Sequence, residues 1–117
     1  MKKIIIADDD PGIQDAFKLI FSRAGYEVTI LPSGDPLLGS DYELPDLIIL
    51  DKQLPSIDGL DICRHLKAHE VTKDIPIIML SASPQIASLA KEAGANEFLE
   101  KPFRKNDLLE MVKKSFV

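Results

Sequence analysis

Three aspartates, Asp8, Asp9 and Asp10, stand in a row between the apolar run IIIA at 4–7 and Pro11. Carboxylates crowded in this way repel one another and raise one another's pKa values unless a cation lies between them. Mg²⁺ suits such a place, because it prefers oxygen ligands and commonly takes one or two carboxylates together with water and phosphate oxygens. Asp10 has a different prediction, since an aspartate directly before a proline is typical of a helix N-cap. Asp8 and Asp9 are therefore the candidate metal ligands of this segment.

Three further polar residues follow apolar runs later in the chain. Asp51 follows LIIL at 47–50, Ser81 follows IIML at 77–80, and Lys101 follows the short run at 96–100. Asp51 is a carboxylate nucleophile, Ser81 offers a hydroxyl donor, and Lys101 offers a positive charge for a bound anion. With a divalent cation, these groups make up a site for phosphoryl transfer, where catalysis is mostly positioning and charge stabilisation. The expected product is an aspartyl phosphate.

The chain alternates short apolar runs with segments of helical period, which predicts five strands and five helices. The predicted strands cover 3–7, 27–31, 46–50, 75–82 and 96–100. Strict alternation implies right-handed crossovers and a parallel sheet with helices on both faces. We therefore predict a single, doubly wound α/β domain over 1–117 with five helices on its two faces. For its strands we expect the flavodoxin-like order 2-1-3-4-5. At the second helix, Asp35 is predicted to be the cap and Pro36 the first helical residue.

This strand order brings the polar residues together. In an open parallel sheet, ligands bind beyond the carboxyl ends of the strands, at the point where the strand order reverses. The order 2-1-3-4-5 places the strands that precede Asp8, Asp51, Ser81 and Lys101 side by side. Their terminal side chains are therefore expected to face one pocket.

Composition narrows the classes of function. A hydrophobic content of 45% and a charged content of 28% are those of an ordinary globular domain. The net charge of −5 argues against direct binding of nucleic acid or an anionic membrane, which requires an excess of Lys and Arg. Cys63 is the single cysteine, so no internal disulfide is expected and a reducing compartment fits. The apolar run after MKK is too short for a secretion signal or a membrane span, and we expect a cytoplasmic protein.

Four motifs together carry a family resemblance. They are ADDDP at 7–11, LIILDKQLPSIDG at 47–59, IIMLSA at 77–82 and GANEFLEKPF at 94–103. In this order and spacing, and over essentially the whole chain, they resemble the receiver domain of bacterial response regulators of the chemotaxis type.

The resemblance implies a role for each site residue. Asp51 would accept a phosphoryl group from a phosphohistidine and so act as the phosphoacceptor. Mg²⁺ would be held by Asp8, Asp9, Asp51 and the backbone carbonyl of Gln53. The phosphoryl oxygens would be bound by Ser81, the backbone of Ala82 and Lys101. Ser81 and Phe98 would form the switch, and the side chains of Gln53 and Ser83 would tune the lifetime of the phosphoryl group.

The resemblance also implies partners. The phosphoryl donor would be a sensor histidine kinase or a histidine phosphotransfer protein. The output would pass to a downstream protein or a fused output domain, with phosphorylation-dependent homodimerisation near the last helix as one form of it. Such a domain is no enzyme in the usual sense, because it catalyses only its own phosphorylation and dephosphorylation.

This sequence departs from the commonest family pattern at Ser81 and at Lys52. Ser81 stands where threonine is more frequent, which keeps the hydroxyl but loses the stiffness of a β-branched side chain. Lys52 stands directly after the phosphoacceptor, where the family often has an apolar residue, and its charge is expected to affect partner choice or the local field.

Three alternatives arise from the sequence. One is a structural receiver whose pocket is never phosphorylated, and the complete set of polar residues argues against it. A Mg²⁺-dependent phosphatase or phosphotransferase can also use an aspartyl nucleophile, although the haloacid dehalogenase type needs a second Asp where this chain has Gln53. His65 and His69 are four residues apart, a spacing that can chelate zinc on one face of a helix, but no third ligand lies near them in the sequence.

Overall fold

The computed structural model describes residues 1–39 and 41–116 and places them in one parallel sheet with helices on both faces. The strands are β1 (Lys3–Ala7), β2 (Glu27–Leu31), β3 (Leu47–Asp51), β4 (Ile77–Ser81) and β5 (Glu97–Glu100). The helices are α1 (Pro11–Arg23), α2 (Asp35–Leu38), α3 (Gly59–Ala68), α4 (Ile86–Ala93) and α5 (Lys105–Ser115). The strand order is β2-β1-β3-β4-β5. The predicted fold class and strand order are confirmed.

The central strands are apolar without alternation because both of their faces are covered. Ile5 and Ile48 point into a core shared with α2, α3 and α4, where Leu37, Cys63 and Ala90 are buried. This pattern is the one expected for parallel strands packed between two helical layers. Each fully buried aliphatic side chain stabilises the fold by about 1.5–3 kcal/mol.

A second core fills the other face of the sheet. Ile6 and Ile49 are completely buried there against Phe17 and Phe21 of α1, with Leu108 of α5 beside them. Because successive residues of a strand point to opposite faces, the same isoleucine-rich runs supply both cores. The sheet is thereby fixed from two sides, and only its edges remain for polar groups.

The ends of several elements refine the predicted boundaries. Asp10 is the N-cap of α1, as predicted, and its Oδ1 accepts hydrogen bonds from the amides of Gly12 and Ile13 at 2.8 and 3.2 Å. The predicted cap at Asp35 is wrong. The helix α2 begins one residue earlier than predicted, with Gly34 as its N-cap, because the Gly34 carbonyl already accepts from the amide of Leu37 at 2.9 Å.

Three strands begin later than predicted, and β3 does so by one residue, covering Leu47–Asp51 instead of 46–50. β4 starts at Ile77 rather than 75, since Pro76 has no amide hydrogen to give to a ladder. β5 starts at Glu97, and the Asn96 side chain instead accepts from the Ile77 amide at 2.9 Å. Among the described residues, no helix has both the length and the apolar character needed to cross a membrane.

Candidate functional site

The polar residues that follow the strands meet at one edge of the sheet. Pairing of β1 with β3 sets Ala7 opposite Leu50, so that Asp8 and Asp51 come next in neighbouring strands. The register between β4 and β5 sets Ser81 opposite Glu100, directly before Lys101. The Lys101 amide donates to the Ser81 carbonyl at 2.7 Å, which extends the pairing of these strands to the site itself.

Lys101 links the two buried carboxylates. Its Nζ lies 3.3 Å from Oδ2 of Asp8 and 3.4 Å from Oδ1 of Asp51. The Asp8 side chain is 1% exposed and that of Asp51 is 10% exposed, so the lysine compensates charges that water hardly reaches. A buried carboxylate is tolerated only when such a partner is present.

The compensation at Asp51 is incomplete. Burial, the largest effect, raises the pKa of the Asp51 carboxyl above its ordinary value, and the Asp8 carboxylate raises it further. The Lys101 ammonium and its hydrogen bond lower this pKa, and so does the Gln53 backbone amide. The net direction is upward, which means that the ionised carboxylate would gain from one more positive charge.

Three carboxylates offer a place for that charge. Oxygens of Asp8, Asp9 and Asp51 all lie within 4.8 Å of one another. Two hydrogen bonds fix Asp8: its Oδ1 accepts from the Asp10 amide at 3.0 Å, and its carbonyl accepts from Nε2 of Gln14 at 2.6 Å. Hard oxygen ligands clustered in this way fit Mg²⁺ or another hard divalent cation. Asp10 stays outside the cluster as the cap of α1.

The loop after β4 presents hydroxyls and backbone groups. Ser81 is buried, and its Oγ accepts a hydrogen bond from the Ser83 amide at 3.0 Å. The Ser83 Oγ lies 3.2 Å from both Oε1 and the amide of Gln85, so these hydrogen bonds are made within its own turn. Exposed Ala82 lies with Lys101 on the lining of an open cavity of about 370 Å³. The Ser81 hydroxyl hydrogen remains available to an acceptor in the site.

The loop between β3 and α3 contains two residues that the sequence did not single out, Asp58 and Gly59. Gly59 lies so close to the end of β3 that a Cβ there would stand 2.1 Å from the Asp51 carbonyl oxygen. Lys52 points toward Asp58, with 3.0 Å between Nζ and Oδ2. In the sequence, the DG pair before a helix indicates a tight turn into α3. The contacts themselves depend on distances across the loop, which the sequence does not show. Gln53, between these points, is exposed.

Phe98 lies away from the carboxylates. Its side chain belongs to β5, the residue is 40% exposed, and it lines a cavity of about 400 Å³ with Ala90 and Lys91 of α4. A larger cavity of about 560 Å³ lies beside α5, near Leu99 and Met111, and contains none of the three carboxylates. Asp8, Asp9 and Asp51 therefore lie outside both of these cavities.

The two histidines of the third helical segment are neighbours. The His65 and His69 rings lie 4.2 Å apart, and His69 Nδ1 is 3.1 Å from the His65 carbonyl oxygen. Over 1–39 and 41–116, the one group of three or more metal-ligating side chains is the aspartate cluster. No third ligand joins the histidines in this part of the chain, as a closed zinc site would require.

Comparison with known proteins gives a consistent picture. Residues 4–113 match the response regulator receiver domain family. The DNA-binding dual master transcriptional regulator RpaA of Synechocystis is 39% identical over 97% of this chain and 48% of its own length. The chain thus spans about half the length of the curated relatives it matches.

Solved structures agree with the sequence match. The receiver domain of the sensor histidine kinase PA1611 from Pseudomonas aeruginosa, which has a magnesium ion in its active-site cleft, superposes with a TM-score of 0.89 at 28% identity. That match covers 98% of this chain and 97% of the other. The response regulator TrrA of Thermotoga maritima, in complex with Mg²⁺ and BeF, has a TM-score of 0.86 at 33% identity, with coverage of 98% and 99%. By sequence, by fold and by the order of its motifs, the chain belongs to the response regulator receiver domain family.

Proposed function

We propose that residues 1–117 act as one phosphorylation-controlled receiver domain in a two-component phosphorelay, with Asp51 as the phosphoacceptor. The observation that carries this proposal is the contact of Lys101 with both Asp8 and Asp51 at the carboxyl edge of the sheet. A buried nucleophilic carboxylate, a fixed cation and a cluster of metal-ligating oxygens are the parts that phosphoryl transfer needs.

In the proposed reaction, an Asp51 oxygen attacks the phosphorus of a phosphohistidine on the donor protein. A P–O bond forms, the P–N bond breaks, and the imidazole leaves with the electron pair and takes up a proton. Bound Mg²⁺ would neutralise charge on the phosphoryl oxygens and on the carboxylates. Its ligands would be Asp8, Asp9, Asp51 and the carbonyl of Gln53.

The remaining residues would bind the transferred phosphoryl group and change conformation when it is present. Lys101 would pair with one phosphoryl oxygen, and the Ser81 hydroxyl and the Ala82 amide would donate to another. When Ser81 moves toward the phosphoryl group, the space around β5 changes, and Phe98 would turn inward to fill it. Its present 40% exposure corresponds to the outward position of such a switch. The exposed side chain of Gln53 and the hydroxyl of Ser83 would tune the lifetime.

The proposal includes the partners and the location. The donor would be a sensor histidine kinase or a histidine phosphotransfer protein, and the output would go through protein contacts, because the net charge of −5 disfavours DNA binding by this domain. A cytoplasmic location fits a chain with a single, buried cysteine. The domain would turn over no substrate other than its own phosphoryl group.

The test is intact-protein mass after incubation with Mg²⁺ and acetyl phosphate. The parent should gain one phosphoryl group, and Asp51→Asn should gain none. Asp61→Asn is the matched control, since it removes an aspartate that pairs with Arg64 on the surface of α3. Phosphorylation of the Asp51→Asn variant would contradict the assignment, and so would a parent that accepts nothing from either acetyl phosphate or a phosphohistidine protein.

A further inference from the structure

Lys52 and Asp58 close the loop that joins β3 to α3. Lys52 Nζ lies 3.0 Å from Asp58 Oδ2, and their side chains are 22% and 38% exposed. Lys52 directly follows Asp51, yet among the described residues its one ion pair is with Asp58. Its charge therefore points along the loop and leaves Lys101 as the lysine that contacts the buried carboxylates.

The backbone reinforces this closure. The carbonyl of Lys52 accepts from the amide of Gly59 at 2.8 Å and from that of Leu54 at 3.2 Å. Asp58 has a second task as the N-cap of α3, since its Oδ1 accepts from the Leu60 amide at 2.8 Å. One carboxylate oxygen thus holds the helix and the other holds the lysine.

The loop between Lys52 and Asp58 contains a residue in an unfavourable backbone conformation, so contacts that hold the loop are needed. Ser56 has a φ of 75°, in the left-handed region that side chains other than glycine seldom adopt. Gln53 lies between the two closure points, two residues after Asp51. A loop that could open here would move the backbone of Gln53 relative to the carboxylates.

We infer that Lys52 is a positioning residue for the divalent cation, acting through its ion pair with Asp58 to fix the backbone of Gln53. This inference rests on the proposed function, which makes the Gln53 carbonyl a ligand of Mg²⁺. Residues that orient the ligands of a metal commonly change its affinity without touching it. Lys52 would do so although its own charge repels the cation.

That repulsion makes the inference testable, because charge and position predict opposite signs. By charge alone, Lys52→Met should strengthen Mg²⁺ binding, since it removes a positive group near the site. If Lys52 acts by holding the loop, Lys52→Met should instead weaken Mg²⁺ binding by about three- to tenfold. This range lies between the effect of losing a partly exposed ion pair and the effect of losing a residue that orients a metal ligand. Asp58→Asn should weaken it similarly, while its amide oxygen still caps α3.

The experiment is calorimetric titration of the full chain with Mg²⁺, with folding checked by circular dichroism. Lys52→Arg should restore parental affinity, because it keeps the ion pair. The double variant Lys52→Met with Asp58→Asn should be no weaker than either single variant, since both remove one interaction. Lys73→Met is the matched control: it breaks an exposed lysine pair with Glu70, away from the loop, and should leave the affinity unchanged.

Phosphorylation by acetyl phosphate separates this inference from the proposed function. At saturating Mg²⁺, Lys52→Met should regain most of the parental rate, because the loop is then held by the metal. A parent that accepts a phosphoryl group while Lys52→Met binds Mg²⁺ as tightly as the parent, or more tightly, would overturn the inference alone. Additive losses in the double variant would also overturn it.

Discussion

At the scale of single residues, Gly59 limits how the end of β3 can be built around Asp51. A Cβ at Gly59 would stand 2.1 Å from the Asp51 carbonyl oxygen and 3.0 Å from the Cα of Lys52. Both contacts are with backbone, which cannot rotate away as a side chain could. The glycine is needed for space rather than for a left-handed conformation.

Gly59→Ala should therefore lower the free energy of unfolding by about 1–3 kcal/mol, the usual cost of overpacking. Because the displaced atoms belong to Asp51, the variant should also accept phosphoryl groups more slowly. Urea unfolding and intact-mass kinetics measure the two effects. Gly39→Ala is the control, since the nearest atom there is 3.8 Å from the added Cβ and the expected change is within about 0.5 kcal/mol. Equal stability of both variants would count against the contact.

At the scale of elements, α3 and α4 pack against each other around Cys63. The thiol is fully buried and donates to the Ala93 carbonyl at 3.6 Å, near the end of α4. Burial raises the pKa of Cys63 to about 11 from its usual 9.0, although nearby Lys67 and Arg64 lower it in part. The neutral thiol is thus the form that this helix pair accommodates.

This packing predicts a pH dependence. The unfolded thiol ionises near pH 9.0 while the folded one stays neutral to about 11. The stabilisation from Cys63 is therefore complete below pH 9 and is lost as the pH rises toward 11. Relative to Cys63→Ala, the parent's advantage in unfolding free energy should shrink over that range. At pH 8, the native thiol should react with an aromatic disulfide at least about tenfold more slowly than in urea. Fast labelling of the native protein would contradict this burial.

The elements also show what the sequence could and could not predict. Continuous apolar runs located β1, β3 and β4, because strands covered on both faces need no alternation. The rule that ligands bind at the carboxyl edge then placed Asp8, Asp51, Ser81 and Lys101 at the ends of neighbouring strands. The predicted start of α2 is wrong by one residue, because a four-residue helix has too little periodicity to fix its cap.

The contacts inside the site could not be predicted from the sequence, because they depend on loop conformation and rotamers. The pair of Lys52 with Asp58 and the close approach of Gly59 depend on how a seven-residue loop folds back, and loop conformation leaves no periodic signal. The tie of Ser81 Oγ to the Ser83 amide is likewise a matter of one rotamer. Residue type predicted what chemistry the site could do, while these distances had to come from the structure.

At the scale of the whole molecule, the two cores and the site have opposite requirements. Burial on both faces of the sheet favours the compact fold, whereas Asp8, Asp9 and Asp51 bring three negative charges to one edge. Lys101 supplies one compensating charge, and the pKa of Asp51 stays raised. The metal-free domain therefore carries an electrostatic cost that a cation would relieve.

Mg²⁺ should accordingly stabilise the domain against unfolding. At a concentration ten times its Kd, the gain should be about 1.4 kcal/mol, because the ion binds the folded chain and not the unfolded one. Asp51→Asn should lose most of this gain, whereas Asp61→Asn should keep it. Thermal or urea unfolding with Mg²⁺, with chelator, and with KCl at equal ionic strength measures the effect. A gain that KCl reproduces would indicate general screening instead of a bound ion.

The order in which the site's residues occur along the chain bears on how the protein is made. Asp8 is translated 93 residues before Lys101, yet the two side chains end 3.3 Å apart. A ribosome-bound chain that has not yet released β5 lacks the lysine that compensates the buried carboxylates. Competence to receive a signal would thus arise only after β5 has joined the sheet. Under the proposed function, unfinished or truncated copies would not accept phosphoryl groups from the donor protein.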